Sequence, residues 1–183
     1  MTADQSTVAP DRLRWIAKAS IILGLASLLR FLPEMISVLP KNPSGRYFAM
    51  VALDLVVGAI WLKCGLALRK HGRGAIGFAA IGGAILLAHA VTSGIVIGRE
   101  ILRDLSRPHH ADYFLFLAVA GSRFLIYGIE FLFWPWAISI LFRSAEDPEG
   151  DPSSRRSVVL ATIASFLIAA VVQLIILAGI FDR

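Results

Sequence analysis

The chain is poor in charge and almost free of cysteine. Of its 183 residues only 17% are charged, against roughly a quarter in soluble globular domains. That is too few to give a fold of this size an ordinary water-facing surface. A single cysteine, Cys64, excludes an intrachain disulfide, a CxxC redox pair and a cysteine-based zinc site. No HExxH, GxSxG, Walker or GxGxxG motif occurs, and the glycines of "GRGAIG" and "IGGAI" lack the strand–turn–helix setting of a phosphate loop. Enzyme chemistry of the soluble type is therefore not expected. The segment "RPHHAD" offers His109, His110 and Asp112, but adjacent histidines in a loop without a fixed third ligand do not make a metal site. A haem held between helices needs two histidines at matching depths, and His89 alone lies well inside an apolar block. Neither metal nor cofactor is expected.

What the chain has in quantity is long apolar runs. Hydrophobic residues make up 57% of it, the mean hydropathy is +0.72, and the apolar blocks approach the roughly 20 residues that a hydrocarbon core about 30 Å thick requires. The expected fold is an all-α integral membrane protein, an antiparallel up-down bundle of five transmembrane helices at about 13–32, 47–68, 75–98, 113–142 and 158–181. Lys18 and Arg30 interrupt the first block, so four spans plus an N-terminal helix lying in the interface is the alternative. Residues 1–12 are polar and expected to be disordered, and 13–183 form one helical membrane domain. Basic residues followed by an uncharged core at 19–29 have the layout of a signal peptide, yet no clear A-x-A site follows, which points to a retained first helix acting as a signal anchor.

The connections carry turn chemistry. "LPKNPSG", "RKHGRG" and "RSAEDPEGDPSSRR" hold the prolines and glycines that end helices, and the short second connection makes an antiparallel hairpin of its neighbours. The 30 residues of 113–142 make about 45 Å of helix, longer than the hydrocarbon is thick, so this helix must tilt, bend or protrude. Pro135 is the expected kink, and Trp134 and Trp136 beside it suit the headgroup level.

The run "VVGAIWLKCGLALRKHGRGAIGFAAIGGAI" is similar in style to hairpins of small bacterial membrane proteins, a likeness of composition that carries no motif. It implies a bacterial-type cytoplasmic (inner) membrane. The net charge of +5 comes largely from lysines and arginines flanking the blocks, an anchoring and orienting pattern, so nucleic acid is not an expected partner. With five spans, nine basic residues fall on the side of the N-terminus and six on the other, which favours a cytoplasmic N-terminus. If the first block does not span, that preference reverses.

Polar groups at bilayer depth are costly and need partners or water. Counting each from the middle of its block places Asp54, His89, Arg123 and Gln173 in one buried layer, with Arg30 joining them if the first block spans, and Glu130 and Lys63 in a second layer across the bilayer centre. Asp54 is expected to pair with Arg123, and Glu130 with Lys63, Tyr127 or water. Asp54 and Lys63, nine residues apart, lie on opposite helix faces. Asp54 shares its face with Gly58, Trp61 and Gly65, which leaves Lys63 to snorkel toward Arg69 and Lys70. A structural ion pair fixing helix register is the plainer role for Asp54 and Arg123, and a substrate or proton site its rival. Small residues mark helix-packing stripes at Gly24 in the first block and at Gly94 and Gly98 in the third.

Small size, short loops and absent catalytic motifs favour a non-enzymatic membrane protein that acts through helix contacts, as an accessory or assembly subunit. Its expected partners are the lipid bilayer and either other membrane proteins or further copies of itself. The alternative is a small oligomeric transporter or channel built around the polar layer.

Overall fold

The computed structural model describes the backbone of residues 8–38, 45–70, 73–105, 113–144 and 152–181, and the side chains of 11–29, 52–70, 74–96, 98, 99, 102, 121, 124–144 and 156–176. Apart from a turn at Lys70, every described residue is helical. The helices are α1 (Val8–Val38), α2 (Gly45–Arg69), α3 (Arg73–Leu105), α4 (Tyr113–Ser144) and α5 (Pro152–Phe181). Among the described residues three helices contain segments long and apolar enough to cross a membrane: Gly74–Val96, Phe124–Ser144 and Arg156–Ile176.

The helices overrun the apolar blocks for local reasons. α1 starts at Val8, inside the segment expected to be disordered. Pro10 is tolerated in a first turn, and Asp11 complements the exposed amides there. α3 continues through "REILRDL", whose Arg, Glu, Ile and Leu are fair to good helix formers, beyond the apolar stretch. α5 opens on Pro152, a position where the missing N–H costs nothing. α4 runs unbroken through Pro135.

Paired contacts fix the relative directions. Between α1 and α2, Gly24 lies against Trp61 and Leu62 while Ala17 and Ile21 lie against Gly65, so advance on one helix is retreat on the other. The same holds for α2 and α3, where Cys64 faces Gly82 and Asp54 faces His89. It holds again for α3 and α4, where Gly83 faces Trp134 and His89 faces Tyr127. α3 and α5 instead advance together, from Gly77 against Val158 to Thr92 on Gln173. Neighbours in sequence therefore alternate in direction, as short connections require, and α3 is the central helix, packed on α2, α4 and α5.

Glycine sets how closely the helices approach. Cβ atoms added at Gly24 and Gly65 would meet backbone atoms of the facing helix, Gly82 makes room for Cys64, and Gly83 for the Trp134 ring. Gly94 has nothing within 4 Å and Gly98 only Phe124 at 3.9 Å, so among the described residues the tight contacts fall elsewhere on α3 than the sequence stripe suggests. The core is aromatic at its middle. Trp61 and Trp134 are fully buried with ring centroids 4.6 Å apart, and Phe133, Trp15 and Trp136 continue the stack outward. Trp134 thus departs from the headgroup placement expected of it: it is fully buried against Trp61, because Gly83 opens a slot for it there.

Candidate functional site

His89 occupies the junction of α2, α3 and α4. Only 2% of its side chain is exposed, against 31% for Asp54, whose Oδ1 is 3.9 Å from His89 Nε2. That separation exceeds a direct hydrogen bond but allows strong electrostatic interaction when the imidazole is charged. On the other side of the ring, Ser93 Oγ is 3.4 Å from Nδ1, and the Tyr127 ring stands edge-on at 5.6 Å between centroids. In the tautomer in which Nδ1 accepts from Ser93, Nε2 carries the proton and points it toward the carboxylate. The imidazole therefore links an interior hydroxyl to an acid that reaches the perimeter of the bundle.

One turn beyond His89, Thr92 ties α3 to α5. Its Oγ1 lies 2.7 Å from Gln173 Oε1 and 2.9 Å from the Ala88 carbonyl, with the His89 carbonyl at 3.2 Å. A hydroxyl has one proton to give. Turning the Gln173 amide over lets Nε2 donate to Thr92, while the Thr92 proton stays with Ala88, and both polar groups are then satisfied. The bond joins two helices that run in the same direction, and it lies fifteen residues along each from the contact of Gly77 with Val158.

Asp54 and His89 are thus brought together, with Gln173 one turn away through Thr92. Arg123 lies on the α4 backbone one turn before Tyr127, but its side chain, like that of Arg30, is outside the described residues, as is the pairing expected between Arg123 and Asp54. Glu130 and Lys63 do not share an environment. Glu130 is buried, one turn from Tyr127, whereas Lys63 is on the exposed face of α2 with Ala52, Leu55, Val56, Ala59 and Leu66. His109, His110 and Asp112 lie outside the described residues. Thr92 and Ser93 were not among the candidates. Their spacing of three and four residues from His89, which puts all three on one helical face, was the signal that could have found them.

Compared with known protein families, curated proteins and solved structures, the chain matches none. The class is defined by its own geometry: the described residues form a helical protein with three helices long and apolar enough to cross a membrane, and a buried polar cluster within the bundle.

Proposed function

We propose that the chain is a five-span protein of a bacterial-type cytoplasmic membrane, N-terminus on the cytoplasmic side, that acts without chemistry of its own as an accessory or assembly subunit. Support for five spans comes from the outward faces of α1 and α2. Ile22, Leu25 and Leu29 on α1 and Leu55, Val56 and Leu66 on α2 are exposed large apolar side chains, a pattern suited to lipid and costly in water. Lys63 on that face reaches the α2 end by snorkelling.

The observation that carries the partner role is the seating of α5. It contacts the bundle mainly through α3, and Ile163, Leu167, Ile168, Val171, Val172 and Ile175 are left uncovered on its far side. A helix held along one stripe has a free face on which a partner helix can pack. A photo-crosslinking residue placed at Leu167 or Ile168 is expected to capture a protein of defined mass in native membranes, while one at Leu132 on α4 captures lipid only. Lipid alone at all three positions would remove the assembly reading.

A second reading has its own observation. His89, enclosed, touches Asp54, partly exposed, at one depth, and Glu130 and Tyr127 lie within a turn of one another beside them. Such a titratable series suits a small oligomeric transporter or channel. Reconstituted vesicles with a trapped pH dye would then show proton flux that is lost in His89→Ala and kept in Lys63→Gln. Flux no greater than in empty vesicles leaves the assembly reading alone.

A further inference from the structure

At the end of the bundle where α1 begins and α2 ends, an open groove of about 550 Å³ is lined by Arg14, Ala17, Lys18, Ile21, Ile22 and Arg69. Arg14, Lys18 and Ile22 are spaced by four along α1, one stripe of the helix surface. Arg69, in the last turn of α2, comes level with Arg14 because the two helices run in opposite directions with Gly65 seated on Ala17 and Ile21. The three cations thus line one groove at this end of the bundle, Arg14 and Arg69 level with one another and Lys18 one turn, about 6 Å, further in. Ile22 is four residues further in than Lys18, about 6 Å, and 65% exposed.

The groove is therefore charged at its mouth and apolar beneath. No carboxylate is among its lining residues. Among the described residues none of Arg14, Lys18 and Arg69 takes part in an ion pair, so three like charges are held together without a counter-ion from those residues. A soluble anion would answer the charge but leave the isoleucines bare. A neutral lipid would cover the isoleucines but leave the charge.

We propose that this groove is a binding site for an anionic phospholipid, its phosphate held by Arg14, Lys18 and Arg69 and an acyl chain lying along Ile21 and Ile22. Basic pockets between membrane helices are suited to such headgroups. The site needs only that this end of α1 and α2 lies at a membrane surface, and it stands apart from the α5 face.

The test is native mass spectrometry of the full chain released from micelles that contain phosphatidylglycerol and phosphatidylcholine of matched chains. Wild type retains phosphatidylglycerol selectively. Each of Arg14→Gln, Lys18→Gln and Arg69→Gln weakens that retention about fivefold, the factor equivalent to roughly 1 kcal/mol per basic side chain near an anionic surface, and Arg69→Lys preserves most of it. Excess inorganic phosphate does not displace the lipid, and Ile22→Ser weakens it while leaving all three charges in place. The control is the double variant Arg143→Gln/Arg156→Gln, two exposed cations at the same end but outside the groove. Equal retention of both lipids by wild type, displacement by phosphate alone, or the same loss in the control variant would overturn the proposal. Since Arg14 and Lys18 are exposed, their single variants are expected to fold, which circular dichroism checks, and they decide the matter even if a multiple variant does not.

Discussion

Gly65→Ala is expected to destabilise the protein by about 1–3 kcal/mol, the usual cost of inserting a carbon into a packed contact. The new Cβ would lie 2.7 Å from the Ala17 carbonyl oxygen and 2.9 Å from the Ile21 backbone nitrogen, besides 2.6 Å from Ile21 Cγ1. A side chain can rotate away, but a backbone cannot, so α1 has to lift off α2. Gly24→Ala meets the same obstacle at the Leu62 nitrogen, 2.8 Å away. Because either substitution moves the same helix, the double variant should cost less than the sum of the two. Gly94→Ala is the control: nothing approaches its added methyl within 4 Å, and its effect should stay within about 0.5 kcal/mol. Unfolding in mixed detergent and dodecyl sulfate micelles gives the comparison. Equal losses for Gly65→Ala and Gly94→Ala would mean that α1 and α2 do not approach as closely as the contacts indicate.

Trp134→Ala should cost about 3 kcal/mol, the low end of the aromatic-to-alanine range, because side chains freed from this bundle exchange with lipid rather than water and the cavity is the main loss. The ring fills the slot over Gly83 and stacks on Trp61, so its removal empties the centre of the contact among α2, α3 and α4. Trp134→Phe separates packing from polarity. Both indole N–H groups, of Trp61 and Trp134, are buried without a hydrogen-bond partner among the described residues. Phenylalanine keeps most of the ring contact and removes one of these donors, so its cost should fall well below that of alanine. The same unfolding measurement reads both variants, and a phenylalanine as damaging as alanine would show that the indole nitrogen is engaged.

Both predictions bear on the polar cluster. The Trp61–Trp134 stack and the glycine contacts hold α2, α3 and α4 in the register that sets Asp54 beside His89 and Tyr127 against its ring. A cluster whose members come from separate helices is only as well ordered as the packing beneath it. Lifting α1 or emptying the Trp134 slot should therefore disturb the interior at some distance from the substituted residue.

The sequence by itself determined that the protein is helical and built for an apolar surround, since long uncharged runs satisfy their backbone only as helices in lipid. It also determined which face of α2 is which, because nine residues at 100° each set Asp54 and Lys63 on opposite sides whatever the neighbours do. Counting from block midpoints brought His89 level with Asp54, and the two lie 3.9 Å apart across α2 and α3. Only the tertiary structure decided that Trp134 is core rather than headgroup anchor, that close approach occurs at Gly24, Gly65 and Gly83 rather than Gly94, and that Thr92 and Ser93 belong to the cluster. Helical periodicity fixes the angle of a side chain about its own axis. Which neighbour fills that angle depends on the register between helices, and register is set by contacts far apart in the chain.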